Sequence, residues 1–108
     1  MEYCVEFTNR ALRDLADLYL NINAGESIPA ARWYSRLEKS IQSLDHFPYR
    51  CPIAPESRRT GRRLRHLLFG RRPRVYRVLF EIDEQQFEVL ILAIRHWAMD
   101  VARPDELD

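Results

Sequence analysis

At 108 residues, 46% of them apolar, the chain has the length of one domain and enough hydrophobic material for a core that needs no staples. The formal charge is only +1, from 17 basic and 16 acidic residues, and no stretch approaches the roughly 20 apolar residues of a membrane span. Cys4 and Cys51 form no CxxC and lack a histidine at ligand spacing, so neither a zinc site nor a redox motif is indicated, and no metal or cofactor is expected. Glu2 and Glu6 stand where a signal peptide carries positive charge, which makes the cytoplasm the expected compartment.

Tyr3, Val5 and Phe7 alternate with Cys4 and Glu6, the period of a strand with one buried face. Thr8 then offers a hydroxyl cap to a helix in which Leu12, Leu15, Tyr19 and Ile22 recur at helical spacing, ending near Gly25. Ser27 and Pro29 start a second helix, whose stripe of Ala30, Trp33, Tyr34, Leu37, Ile41 and Leu44 ends before Pro48. So short a linker makes the two an antiparallel hairpin. Pro48, Pro52, Pro55 and Gly61 mark a long loop from Phe47 to Gly61.

Three strands follow, over Arg63 to Phe69, Arg74 to Ile82 and Phe87 to Arg95, joined by turns at Gly70 to Pro73 and Asp83 to Gln86. The run Val89 to Ile94 is apolar throughout, as in a central strand covered on both sides. A polar tail begins at about residue 101, and Pro104 with Asp105, Glu106 and Asp108 predicts a loosely held end. The pattern is a single α+β domain over residues 1–108, β-α-α-β-β-β, with an antiparallel sheet packed against a two-helix hairpin. Two helices return the chain to its starting end, so the first strand is expected to run antiparallel to the second and the fourth, with either as its neighbour.

Charge is segregated along this framework. Nine arginines lie between Arg58 and Arg77, with no carboxylate between Glu56 and Glu81. Leu64, Leu67, Leu68, Phe69, Val75, Tyr76 and Val78 are threaded among them, so the span is folded and not a disordered arm. The expectation is two strands presenting arginines on one face, with Arg62, Arg65, Arg71 and Arg74 as a basic binding surface. Asp83, Glu84 and Glu88 offset only part of this charge, which leaves the rest to an anionic partner.

Several segments, in this order and spacing, resemble the RelE/ParE family of toxins from type II toxin–antitoxin (plasmid stabilisation) systems. They are YCVEFTNRALRDL, the helix stripe ending in SLDHFP, the APES loop, LRHLLFG, YRVLFEID and LILAIRHWAMD. The resemblance implies a small cytoplasmic toxin that inhibits growth and forms a hetero-oligomer with a cognate antitoxin, often acidic where it binds. It also implies one of two targets. Members of the nuclease branch cut messenger RNA on the ribosome, and members of the other branch act on DNA gyrase.

Ribose-phosphate cleavage needs a base, a proton donor and cations around the transition state. By resemblance, the candidates here are Arg77, at the start of its strand, Arg95 and His96, at the end of the last strand, and Glu56, placed by its position in the loop. Substituting Arg77 or His96 in a nuclease of this kind is expected to stop cleavage and leave the fold intact. Yet the sequence after Arg95 lacks the tyrosine and basic side chains of nuclease relatives, and IRHWAMD is more similar to the gyrase-directed branch. There His96 and Asp100 have structural roles at a strand end. Arg77 has an alternative as a sheet arginine paired with Glu81 or Glu88, and Glu56 as a fastener of the proline loop. A third reading is a non-toxic nucleic-acid-binding or degenerate member of the family.

Overall fold

A computed structural model describes residues 2–98, 102 and 104–107. The first strand, β1 (Cys4–Phe7), passes through the single residue Thr8 into α1 (Asn9–Asn21). The Thr8 hydroxyl accepts a hydrogen bond from the Ala11 N–H and donates to the Leu92 carbonyl, each at 3.1 Å, so one side chain caps the helix and ties it to the sheet. Ser27 caps α2 (Ile28–Gln42) in the same way, through Ala30 N–H at 3.3 Å. Tyr34 of α2 donates its hydroxyl to Leu15 O of α1 and meets Tyr19 edge to face, with ring centroids 5.1 Å apart. This fastens the hairpin.

The stripe of α1 lies one position from the expected one. Ala11, Leu15 and Leu18 are buried, whereas Leu12 is 51% exposed and Tyr19 39%. Both sets have helical spacing, and the sheet selects the face that starts at the small Ala11, which allows α1 to sit close on β4. In α2, Leu37 and Ile41 are buried as expected, and Leu44 follows in a 3-10 turn at Ser43–Asp45.

The proline-rich loop is ordered and contains a 3-10 turn at Pro48–Arg50 and a short helix, α3 (Glu56–Thr60), which the sequence reading passed over. Beyond it lie β2 (Leu64–Phe69), β3 (Tyr76–Asp83) and β4 (Glu88–His96), forming an open four-stranded sheet in the order β1-β4-β3-β2. The meander is antiparallel, but β1 runs parallel to β4, with Cys4 opposite Glu88 and Phe7 opposite Ile91. This corrects the expected direction of the first strand. The helices do bring the chain back to the end where β1 starts, since Tyr3 N–H bonds Asp45 O at 2.8 Å. A strand leaving from that end, as β2 does, shares the direction of β1, and β4 shares the direction of β2.

Both faces of the sheet are covered. On one, Val78, Phe80, Val89, Ile91 and Ile94 pack under the helical hairpin. On the other, Leu64, Leu79, Leu92 and Ala93 pack with Ala54, Ala102 and Leu107. The β3–β4 register slips by one residue between Leu79 and Phe80, and Leu92 and Ala93 both join this second cluster. Double coverage accounts for the unbroken apolar run of β4. It also corrects the expectation of a loosely held end, because Ala102 and Leu107 are fully buried and Pro104–Glu106 forms a 3-10 turn. No helix among the described residues is long and apolar enough to cross a membrane.

Candidate functional site

Arg77 of β3 and Arg95 of β4 are directly opposed in the antiparallel ladder. Two adjacent like charges on a covered face repel unless each meets a carboxylate. Glu56, at the start of α3, supplies the first: its side chain is fully buried and accepts hydrogen bonds from Nη1 and Nη2 of Arg77, at 3.0 and 2.6 Å. Glu106 supplies the second, 3.1 Å from Arg95 Nη1. Glu56 Oε2 also accepts the Ala102 N–H at 2.8 Å, so a single carboxylate joins the proline loop, the sheet and the chain beyond β4. Burial pushes its carboxyl up, but hydrogen bonds from Arg77 and Ala102, with the guanidinium charge, outweigh that and hold it at about 2.

His66 of β2 completes this cluster, with Nδ1 3.1 Å from Arg77 Nη1. An arginine only donates, so His66 Nδ1 is the acceptor and its ring is neutral. Burial and the Arg77 charge both lower its pKa, against a smaller opposing influence of Glu56. No local pattern announces this contact, because His66 and Arg77 lie 11 residues apart on paired strands.

His96 stands apart from them. Its Nδ1 accepts the Ala98 N–H at 3.1 Å, which leaves the proton on Nε2, and Nε2 donates to Pro73 O at 2.7 Å. One ring nitrogen thus ties the end of β4 to the β2–β3 turn, and the other holds the chain just beyond the strand. Asp100, expected to share that role, lies outside the described residues. Beside His96 is a cleft of about 340 Å³ lined by Asp14, Asp17, Leu18, Asn21, Tyr76 and Ile94. Among the described residues its lining holds two carboxylates, of which Asp14 is paired with Arg10 at 3.6 Å, and no arginine that could meet a phosphodiester.

Glu56 and Arg77 are therefore brought together, and Arg95 is brought beside Arg77, while His96 is placed elsewhere. Arg77 pairs with neither Glu81 nor Glu88. Glu81 instead receives Arg62, through Nε at 3.1 Å and Nη2 at 2.9 Å.

The proposed basic surface also divides. Arg65 donates to Tyr49 O and Cys51 O from the edge strand, on the opposite face of the sheet from Arg77. Arg71 and Arg74 lie in the β2–β3 turn, exposed and without a carboxylate partner among the described residues. The arginines do not share one strand face. The turn arginines instead surround a cleft of about 600 Å³ with Trp33, Arg36 and Phe69, where the helix residue Arg36 adds a cation that the sequence reading missed. Its signal was present in the three-residue spacing that places Arg36 on the same helix face as Trp33. Among the described residues, no group of three or more His, Cys, Asp or Glu could hold a metal ion.

This arrangement, an open four-stranded sheet with a helical hairpin on one face, is that of the RelE/ParE superfamily toxin fold. It is similar to E. coli toxin RelE, as a mutant in the free state, with TM-score 0.57, 15% identity, and coverage of 91% of this chain and 86% of that one. It is also similar to a chain of the Mycobacterium tuberculosis toxin–antitoxin complex RelBE2, with TM-score 0.54, 28% identity, and coverage of 89% and 99%. No curated protein sequence matches significantly. The family described as ParE toxin of type II toxin-antitoxin system, parDE, matches residues 5–101, and the chain belongs to it.

Proposed function

We propose that this protein inhibits growth through the gyrase-directed activity of its family and is held inactive in a cytoplasmic hetero-oligomer with a cognate antitoxin. The observation that carries the choice of target is the commitment of all four nuclease candidates to internal bonds. Glu56 and Arg77 form a buried ion pair, Arg95 is paired with the half-buried Glu106, and both nitrogens of His96 hold backbone groups beside a cleft lined by Asp14 and Asp17. A group that must bind or protonate a ribose phosphate has to be free to reach it. The antitoxin partner draws support from the family match and from the likeness to a chain of the RelBE2 complex. One observation favours ribosome-dependent messenger cleavage as the second reading: Glu56, Arg77 and the neutral His66 are gathered on one face, where His66 is only half-buried.

The test is inducible expression with and without the neighbouring antitoxin, scoring gyrase-dependent DNA damage and cleavage of translated messages in the same cells. Damage without cleavage, persisting in His96→Ala, is the expected result. Codon-positioned cleavage that His96→Ala or His66→Ala abolishes replaces this reading with the nuclease one.

A further inference from the structure

The cleft at the β2–β3 end of the sheet joins an aromatic cluster to a tight turn rich in arginine. Phe69 and Tyr76 are the last pair of the β2–β3 ladder, and the Trp33 ring packs edge-on against both, with centroids 5.4 and 5.5 Å away. The chain then turns tightly. Gly70 has φ +100°, and a Cβ there would lie 2.1 Å from Arg74 O, so only glycine lets the turn close back on itself. The turn is pinned further by the Arg74 N–H on Arg71 O at 2.7 Å and by the His96 bond to Pro73 O. Arg71, Arg72 and Arg74 are thereby held beside Arg36 over an aromatic floor.

Arg72 covers the Trp97 ring, with its guanidinium carbon 4.6 Å from the centroid. Arg36, Arg71 and Arg74 have no carboxylate partner among the described residues, although Arg10, Arg62, Arg77 and Arg95 each have one. Cations gathered around an apolar floor with no carboxylate beside them among the described residues are matched by a ligand that brings both acid and hydrocarbon.

We propose that this cleft is the docking site for an acidic, amphipathic peptide segment, with an apolar side chain on the Trp33–Phe69 floor and carboxylates on Arg36, Arg71 and Arg74. Single-stranded nucleic acid fits less well, because it binds by stacking bases on open aromatic faces. Here Trp33 is half-buried against Phe69 and Tyr76, and Trp97 is covered by Arg72. The site deepens the reading above by placing the acidic segment of a neutralising partner, and it narrows the expected basic surface to Arg71 and Arg74, joined by Arg36.

Fluorescence anisotropy of the purified chain with three labelled probes tests this: a Leu/Glu amphipathic peptide, polyglutamate of equal length, and single-stranded RNA of equal length. The Leu/Glu peptide is expected to bind best. Arg71→Glu/Arg74→Glu is expected to weaken it by on the order of tenfold or more, as is Arg36→Glu, while the exposed control Arg13→Glu/Arg58→Glu leaves it unchanged. Equal loss in the control, binding of polyglutamate as tight as the peptide, tighter binding of RNA, or no saturable binding overturns the proposal. Melting curves confirm that each variant is folded. Growth assays run in parallel separate the two readings: inhibition without peptide binding removes this site alone, and peptide binding without inhibition removes the toxin reading alone.

Discussion

Replacing Arg77 by methionine would leave the Glu56 carboxylate buried and without its cation. Breaking a buried pair from one side costs about 3–5 kcal/mol. In a domain of this size each kcal/mol moves Tm by about 4–8 °C, so the variant is expected to melt roughly 12–40 °C below the parent. The double variant Glu56→Gln/Arg77→Met removes both charges and keeps an oxygen for the Ala102 N–H, and it should recover to within about 1–2 kcal/mol. The pH dependence supplies a second readout. In the parent, Glu56 is lowered from 4.5 to about 2, equivalent to about 3 kcal/mol of stability that is fully present above pH 4.5 and lost as pH falls toward 2. In Arg77→Met, burial dominates and raises the carboxyl, so stability should fall as pH rises through that value, and Tm should climb between pH 7 and pH 5. Thermal melts by circular dichroism at these pH values measure both. An Arg77→Met protein that melts within about 4 °C of the parent, with a parallel pH slope, would refute the reasoning.

Gly70→Ala must shift backbone to escape Arg74 O and should cost on the order of 2–3 kcal/mol, whereas Gly61→Ala, at φ +69° with open space around it, should cost about 1–2 kcal/mol. Melting the two side by side checks this, and a smaller loss in Gly70→Ala would contradict the geometry. Exposed Cys4 should be the one thiol that reacts in the folded chain, and slowly, because the Glu6 carboxylate accepts its S–H and raises its pKa. Cys51, raised by burial, should react only after denaturant is added, and two thiols reacting together in native buffer would show that Cys51 is not enclosed.

What could be read from the sequence was largely what neighbouring residues decide. Thr8 and Ser27 announce their helices because a cap is a contact across three residues, and the run from Val89 to Ile94 announces a strand covered twice. What escaped depends on distant parts of the chain. The five residues of α3 are too few to display a helical period, and Glu56 meets Arg77 across 21 positions. A catalytic Arg77 would be replaceable with the fold intact, whereas its burial in an ion pair with Glu56 predicts a loss of stability. The arginine span was legible as folded and incompletely neutralised. Which arginines find acids was not, because Glu81 and Glu106 come from β3 and from beyond β4.

The parallel pairing of β1 with β4 also has a consequence during synthesis. Cys4 and its partner Glu88 are separated by 84 residues, which at roughly 5–20 residues per second take about 4–17 s to translate. Throughout that interval β1 has no neighbour in the sheet, and α1 has no β4 to lie against. The nascent chain therefore cannot complete its sheet until β4 has left the ribosome.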